Sequence, residues 1–434
     1  MSPISIGILG ILVLFILLAM RMQIGFAMAL VGFLGFIVLN SFESAIGVLG
    51  IDPIRTSASY TLSVIPLFLL MGQFAHHSGM GAEIYEMFYR WIGFFPGGLA
   101  MATVGACAFF AAISGSSLAT AAMFGAIALP EMRKLKYADT LATGCIAAGG
   151  TLGILIPPSS VLILYGILTE QSIARLFIAG MVPGVCLALI FIGTIYVVTK
   201  ISPAIGAPGP KFKTREKLTS LRSTWGLLAL FLLVIGGLYV GWFTPTEAAG
   251  VGAFGAFSVT IIKRKLTRAN LFESLKDTAH STAFIFGILI GAMIFQYFIT
   301  LSQIPDRLAG WIVSAGVGRY VVISAIIGAF VGLGCFMEGL SIMVLAVPIV
   351  FPIVIRMGFD PIWFGIIITM TMEMSLITPP VGVNVFVLSG VAKDIPMYTI
   401  FRGILPFWVA MVVCIILLVI FPEIATFLPN QMMQ

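Results

Sequence analysis

Two short polar stretches interrupt the apolar segments of this chain. Residues 114–120 read SGSSLAT and residues 150–160 read GTLGILIPPSS, and neither contains a charged residue. Consecutive prolines lack the N–H groups that a helix needs, and glycines let the backbone unwind. Carbonyl oxygens released in this way bind a cation such as Na⁺, whereas the amides at the start of a helix attract an anion. The two stretches therefore predict ion coordination.

The first half of the chain places both kinds of group close together in sequence. The proline pair 157–158 leaves the carbonyl oxygens of Gly153 and Ile154 without a donor four residues further on. Ser116 or Ser117 is expected to cap the helix that follows the SGSS turn. The amides of that helix would then point into the protein.

The second half repeats the pattern, since the proline pair 379–380 follows the pair 157–158 by 222 residues. CFMEGLS (335–341) is predicted to be the tip of a second hairpin. SLITPPVGVN (375–384) is predicted to be the second break, with the carbonyls of its first two residues free. Breaks in matching positions of two halves indicate two related cation sites with a substrate between the tips. The alternative is that the prolines only kink the helices.

Two carboxylates lie within these apolar segments, Glu338 at the second tip and Glu373 before the second break. They could balance a cation, carry protons or make structural hydrogen bonds. A proton-coupled carrier is therefore the main alternative to Na⁺ coupling. A channel remains a further alternative, whereas an intramembrane serine protease would need a base near Ser116 that the sequence does not offer. We expect no enzymatic activity.

These residues must be positioned by helices that cross a membrane. Of the 434 residues, 60% are hydrophobic and only 9% are charged, and apolar stretches of about 20 residues recur along the chain. The chain has no GxxxxGK[ST] motif for ATP. We expect an all-α polytopic membrane protein that binds no organic cofactor and no nucleic acid.

Charge distribution predicts the orientation of the chain. With spans at 4–20, 24–40, 60–89, 139–168 and 172–199, most of the 23 basic residues face one compartment, which the positive-inside rule identifies as the cytoplasm. The first segment is taken as an uncleaved span, with a signal peptide as the alternative. Both termini are then periplasmic, and the protein lies in the bacterial inner membrane.

The halves are predicted to be inverted repeats, joined by a basic, proline-containing cytoplasmic linker. Each repeat contains scaffold spans, a re-entrant helical hairpin and a broken helix. The predicted boundaries are 1–200 for the first repeat, with hairpin 97–130 and broken helix 139–168; 201–223 for the linker; and 224–434 for the second repeat, with hairpin 320–353 and broken helix 361–391.

Several long motifs resemble the large membrane subunit of tripartite ATP-independent periplasmic (TRAP) transporters. They are PLFLLMGQFAHHSG (66–79), AAISGSSLATAAMFGAIALPEM (111–132), AAGGTLGILIPPSSVLILYG (147–166), TPTEAAGVGA (244–253), MEGLSIMVLAVPIVFP (337–352) and TPPVGVNVF (378–386). The resemblance implies an elevator-type carrier that takes up an organic acid anion with Na⁺, such as a C4-dicarboxylate or a sialic acid. It also implies an extracytoplasmic substrate-binding protein and a small four-helix membrane subunit, expected here as a separate chain.

Carried onto this sequence, the resemblance, the repeat symmetry and the released carbonyls together give two Na⁺ sites and a substrate site. Site 1 comprises Ser114, Ser117, Gly150, Gly153 and Pro157; site 2 comprises Phe336, Gly339, Met372, Ser375, Thr378 and Pro379; and the substrate contacts are Ser116, Thr151 and Asn384.

Overall fold

Residues 2–432 are described by a computed structural model, which is helical throughout this range apart from turns and loops. The first half contains α1 (Pro3–Ala19), α2 (Ile24–Leu39), α3 (Phe42–Ser57), α4 (Val64–His77), α5 (Met80–Ile92), α6 (Gly98–Ser114), α7 (Ser117–Lys134), α8 (Asp139–Leu155), α9 (Ser160–Leu168) and α10 (Ile173–Ile201). Short 3₁₀ turns lie at Tyr60–Ser63 and Pro203–Ile205.

The linker contains α11 (Thr214–Ser223). The second half follows and contains α12 (Trp225–Phe231), α13 (Gly237–Val240), α14 (Pro245–Ile262), α15 (Arg268–Ser302), α16 (Ile304–Ser314), α17 (Arg319–Gly334), α18 (Gly339–Arg356), α19 (Pro361–Ser375), α20 (Val383–Val391), α21 (Met397–Ile420) and α22 (Glu423–Gln431). A π-helical turn at Leu232–Gly236 joins α12 to α13.

Length and composition identify the membrane-crossing helices. Within the described residues, five helices are long and apolar enough to cross a membrane, and up to eight spans result if each bent helix pair counts as one. The predicted all-α polytopic fold is therefore confirmed. The predicted break at the first proline pair is confirmed too, because α8 and α9 form a pair bent by 42°.

Both predicted hairpins are present, and each extends a few residues past its predicted last residue. α6 and α7 form the first and meet at Gly115 and Ser116, and α17 and α18 form the second. In each half the hairpin precedes a broken helix and then a long helix, α10 or α21. The opposite membrane orientation of the two halves stays a prediction.

The halves exchange contacts at their centre. α7 packs on α20 of the other half, and α18 packs on α9, so each hairpin touches the short helix after the opposite break. The helices before the breaks, α8 and α19, also pack against each other. This crossed packing brings all four interruptions of the helices into one region.

The predicted span 60–89 is wrong as a single helix. α4 ends at His77, and the chain changes direction at Ser78 and Gly79. Gly79 has φ +78°, a left-handed conformation that glycine adopts readily. α5 then follows as a separate amphipathic helix. The sequence does not predict α3, which contains Pro53. Its three charged residues interrupt the apolar pattern that identifies a membrane-crossing segment.

Side-chain caps mark the start of two helices, and the cap at Ser116 confirms the prediction for the first hairpin. Ser116 caps α7, its hydroxyl accepting a hydrogen bond from the Ala119 amide at 3.3 Å. Glu247 closes a capping box at the start of α14, accepting from the Thr244 amide at 2.8 Å. These caps fix the ends of helices that would otherwise expose free amides.

Candidate ion and substrate site

The tip of the first hairpin is a tight turn rich in oxygen atoms. Gly115 has φ +59°, a left-handed conformation that favours glycine, and it reverses the chain between α6 and α7. The Ser114 and Thr120 hydroxyls are 2.9 Å apart, and Thr120 also donates to the Ser116 carbonyl at 2.8 Å. The turn is therefore held by its own side chains.

Two glycines of α8 let this helix approach the carbonyls of the tip. A Cβ added to Gly153 would lie 2.6 Å from the Ser116 carbonyl oxygen. A Cβ added to Gly150 would lie 3.2 Å from the Ser117 carbonyl oxygen. Any larger residue at Gly153 would push the broken helix away from the hairpin.

The segment after the first break completes this arrangement. A Cβ on Gly115 would lie 2.9 Å from the Pro158 carbonyl oxygen, and the Ser160 hydroxyl donates to the Gly115 carbonyl at 3.4 Å. Ile156 donates to the Leu152 carbonyl, and the prolines that follow offer no amide to the next two carbonyls.

The predicted members of site 1 therefore lie together at the meeting of α6, α7, α8 and the proline pair. Carbonyl and hydroxyl oxygens converge there in close contact, and a Cβ at Gly153 would clash with them. Oxygen ligands of this kind suit a hard monovalent cation, so these residues fit Na⁺.

A buried hydrogen bond joins the two halves beside this tip. Ser117 donates to the Glu373 carboxylate at 2.6 Å, and their side chains are 0% and 1% exposed. The residues are 256 positions apart in the chain. The repeat shift places Glu373 opposite Thr151, so the sequence did not predict that it contacts the first hairpin.

Asn384, at the start of α20, contacts α8 of the first half. Its Nδ2 is 3.5 Å from the Ala147 carbonyl of α8, and its buried Oδ1 has no hydrogen-bond partner among the described residues. Leu388, one turn later on α20, reaches Gly125 of α7, where an added Cβ would lie 2.9 Å from it. Asn384 is therefore at the level of the first turns of α7.

The three predicted substrate residues differ in accessibility. Ser116 is half-buried at the tip, whereas Thr151 and Asn384 are fully buried. The Thr151 hydroxyl donates to the Ala148 carbonyl of its own helix at 2.6 Å. Thr151 lies one turn after Ala147, whose carbonyl is 3.5 Å from Asn384 Nδ2, on the same face of α8.

The second tip contacts the second broken helix in a related way. A Cβ on Gly334 would overlap the Ser375 side chain, and a Cβ on Gly339 would lie 2.9 Å from the Met372 methyl group. The Cys335 thiol is 3.4 Å from the Pro379 carbonyl oxygen. The second hairpin thus lies against the end of α19.

The prediction that the Ser375 and Leu376 carbonyls are free is wrong. Ser375 accepts from the Thr378 amide at 3.0 Å, and Leu376 accepts from the Asn384 amide at 3.1 Å. The chain turns tightly after α19, so amides beyond the prolines replace the missing helical donors. Thr378 is also occupied, donating to Met374 at 2.7 Å and accepting from Trp408 at 3.0 Å.

The two breaks also differ in exposure. Pro157 is buried, whereas Pro379 is exposed and Phe336, at the second tip, has 78% of its surface accessible. The side of the site that belongs to the second hairpin is therefore open, and the side formed by the first hairpin is closed.

A narrow crevice of about 10 Å³ lies beside the first tip, between Ser114, Gly115 and Ser160 on one side and Ile65 and Phe68 of α4 on the other. This volume holds one water at most. An organic acid can reach the tip from here only if α4 and the hairpin separate.

A larger cleft of about 870 Å³ begins one turn further along α9. Asp52, Arg55 and Gln296 line one wall, and Glu170 and Gln171 line the other. Arg55 is the one basic residue that lines it, and it makes no ion pair within residues 2–432. The charge distribution of the sequence predicts that Arg55 is one of the few basic residues on the periplasmic side, and only the fold places it in a cleft.

Comparison with known proteins assigns the family. Residues 11–424 match the model of the tripartite ATP-independent periplasmic transporter, DctM component. The chain belongs to this family. It is a large membrane subunit of a TRAP transporter and a multi-pass membrane protein, as the quoted motifs predicted.

Relatives of this DctM-family chain carry names with different substrates. It is 39% identical to a C4-dicarboxylate TRAP transporter large permease protein of Pseudomonas aeruginosa, over 88% of this chain and 89% of the relative. It is 32% identical to a sialic acid TRAP transporter large permease protein of Vibrio cholerae, over 95% of this chain and 96% of the relative. An ectoine/5-hydroxyectoine large permease protein of Ruegeria pomeroyi is also 32% identical, over 85% and 86%.

The fold is shared with solved transporter structures of low sequence identity. The Alcanivorax borkumensis YdaH transporter superimposes with a TM-score of 0.62 at 14% identity, covering 89% of this chain and 88% of that one. Neisseria gonorrhoeae MtrF gives a TM-score of 0.55 at 15% identity, covering 90% and 85%. These similarities concern the fold alone.

Proposed function

We propose that this DctM-family chain performs Na⁺-coupled uptake of an organic acid anion across the inner membrane. The observation that carries the proposal is the first hairpin tip, where the carbonyls of Ser116 and Ser117 face Gly153 and Gly150 of a helix broken by two prolines. A helix broken in this way lacks some backbone hydrogen bonds, and its carbonyl oxygens are then available to a ligand at the centre of the protein.

Na⁺ supplies positive charge beside the helix ends, which lowers the cost of holding an anion there. In site 1, this chain contributes the carbonyls of Ser114 and Ser117 and the broken backbone between Gly150 and Pro157. In site 2, the Ser375 and Leu376 carbonyls are already hydrogen-bonded. The Met372 carbonyl also accepts from the Leu376 amide and the Ser375 hydroxyl. We therefore expect the ligands of site 2 to come chiefly from Phe336 and Gly339.

The substrate class follows from the start of α7 and from the relatives. Free amides and the positive helix end favour a carboxylate next to Ser116. Sialic acid and C4-dicarboxylates, named for two relatives, both carry this group. We therefore assign this chain a carboxylate substrate, with Thr151 and Asn384 as further contacts once the site opens.

An elevator movement is part of the proposal. The crevice beside Ser114 is far too small for an organic acid, whereas a wide cleft separates α3 and α15 from the end of α9. Sliding of the hairpins and broken helices against the remaining helices would open one side and close the other. This movement would expose the tip to each compartment in turn.

Two partners complete the proposed system. An extracytoplasmic binding protein would deliver the substrate to the side bearing Arg55, and a small membrane subunit would bind the large one. One relative is an isethionate TRAP transporter permease protein DctMQ, and the match covers 60% of that relative. The predicted periplasmic termini belong to the same proposal.

The test is uptake in proteoliposomes that contain this chain and its small subunit. Candidate carboxylic acids are supplied with their binding protein under an inward Na⁺ gradient or with K⁺ in its place. We expect uptake only with Na⁺ and the binding protein. Equal uptake in K⁺ at acidic outside pH would overturn Na⁺ coupling and assign the coupling to Glu338 and Glu373.

A further inference from the structure

The linker between the two halves is strongly basic and ends in an amphipathic helix. Residues 211–223 contain five basic residues and one acidic residue, a net charge of +4. The acidic residue, Glu216, accepts a hydrogen bond from the Lys213 amide at 2.7 Å and so caps the N-terminus of α11. The charge of the segment is therefore not balanced from within.

One face of this segment is fixed to α5. Arg90 and Trp91 donate to the Glu216 and Lys217 carbonyls at 3.3 and 3.2 Å. The Lys217 ammonium lies 5.0 Å from the centre of the Phe94 ring. These contacts hold α11 in one orientation and leave its other faces outward.

The outward faces carry unpaired cations. Within residues 2–432, four exposed basic side chains of the linker form no ion pair: Lys211, Lys213, Arg215 and Arg222. The acidic residues of α5 cannot balance them, because Glu83 is paired with Lys263 and Glu86 with Arg90.

A second outward stripe is apolar. Leu218 and Leu221 of α11 are 57% and 39% exposed, and Trp225, one turn further, is 45% exposed. The chain bends by 55° between α11 and the apolar segment that begins at Trp225. α11 is therefore inclined to the apolar segment that follows it and lies at the end where that segment begins.

A second basic group lies beside this bend. A Cβ on Gly226 would lie 3.8 Å from the Lys263 side chain, so the end of α14 adjoins the start of α12. Lys263 is followed by Arg264 and Lys265, and Arg268 begins α15. The end of α14 thus brings a second basic stretch of sequence close to the start of α12, although Lys263 itself is paired with Glu83.

We propose that α11 is an interfacial helix that binds the headgroups of anionic phospholipids at the predicted cytoplasmic leaflet. Leu218, Leu221 and Trp225 enter the boundary between headgroups and acyl chains, while Arg215 and Arg222 contact lipid phosphates. An amphipathic helix that combines basic and apolar faces binds anionic membranes in this way. The proposal is independent of the transported substrate.

The test compares hydrogen exchange of residues 214–223 in the full chain reconstituted in nanodiscs of phosphatidylcholine or phosphatidylglycerol. We expect these amides to exchange at least tenfold more slowly in phosphatidylglycerol at low salt. The difference should shrink in about 1 M salt, where charge interactions are screened within about 3 Å.

A charge-removal variant tests the residues. Each cation near an anionic surface contributes a factor of roughly five, so Arg215→Gln with Arg222→Gln should reduce the lipid-dependent protection by roughly 30-fold or abolish it. The matched control is Lys134→Gln with Lys136→Gln, which removes the same charge from the same predicted face and should leave the protection unchanged.

Three results would overturn the proposal. They are equal exchange of wild-type α11 in both lipids, protection that survives high salt, and equal loss of protection in the control variant. The first two results are measured on the wild-type protein, so the proposal can be tested even if a variant fails to fold.

Discussion

Replacing Ser117 with alanine removes the one donor that the described residues offer to the Glu373 carboxylate. The two side chains are 2.6 Å apart and almost completely buried, so water does not replace the lost hydroxyl. Removing one partner of a buried hydrogen bond leaves the other without a partner, which costs about 1–3 kcal/mol. We therefore expect Ser117→Ala to lower the free energy of unfolding by about 2 kcal/mol.

A double-mutant cycle separates this bond from other effects of each change. Glu373→Gln keeps an oxygen that accepts from Ser117, so it should cost less than Ser117→Ala. Ser117→Ala combined with Glu373→Met removes both polar groups, and such paired removals are close to neutral. The double variant should thus be more stable than Ser117→Ala alone, with a coupling energy of about 1–2 kcal/mol.

Thermal unfolding of the purified chain in detergent measures these differences. With an unfolding entropy of about 2.1 cal/mol/K per residue, a loss of about 2 kcal/mol corresponds to a decrease of roughly 2 °C in Tm. Ser274→Ala is the control, since the buried Ser274 hydroxyl has no partner among the described residues. If Ser117→Ala and Ser274→Ala have the same Tm, the inter-repeat bond does not stabilise the protein.

Three further variants test the cleft, the cytoplasmic face and the substrate contacts. Arg55→Gln should raise the KM of uptake about tenfold, since a tenfold change needs only about 1.4 kcal/mol, whereas Arg307→Gln on the same predicted side should not; equal KM values would exclude Arg55 from substrate entry. A hydrogen bond from Arg133 lowers the pKa of Asp394. The charged form of Asp394 therefore stabilises the protein above the unfolded pKa, and this stabilisation is lost as pH falls through the folded pKa. Asp394→Asn should therefore lower Tm at pH 7, and this deficit should shrink as pH falls below about 4. A deficit that stays constant as pH falls would contradict this assignment. Asn384→Leu should leave Tm unchanged or raised, because the Asn384 Oδ1 is already unpartnered, and should abolish uptake; normal uptake would remove Asn384 from the site.

Local signals explain why the sequence predicts the hairpins and breaks well. The SGSS turn, the proline pairs and the caps at Ser116 and Glu247 act through the backbone within a few residues. Their effects do not depend on distant packing. The helix boundaries at the first tip therefore lie within a few residues of those predicted.

Tertiary contacts explain what the sequence does not predict. The Ser117–Glu373 bond joins residues 256 positions apart, and symmetry pairs each of them with a different partner. The Leu376 carbonyl is satisfied by the Asn384 amide through a turn that no local pattern specifies. Arg55 becomes a cleft residue only because α3, a polar helix, packs beside α15.

The most direct test of the account is the Na⁺ dependence of uptake by Gly153→Ala. The new methyl group would lie 2.6 Å from the Ser116 carbonyl oxygen, whereas the control Gly328→Ala meets nothing within 4 Å. We predict that Gly153→Ala raises the half-saturating Na⁺ concentration by about tenfold or more, and that Gly328→Ala leaves it unchanged. Unchanged Na⁺ dependence in Gly153→Ala would contradict a cation site between the first hairpin and the broken helix.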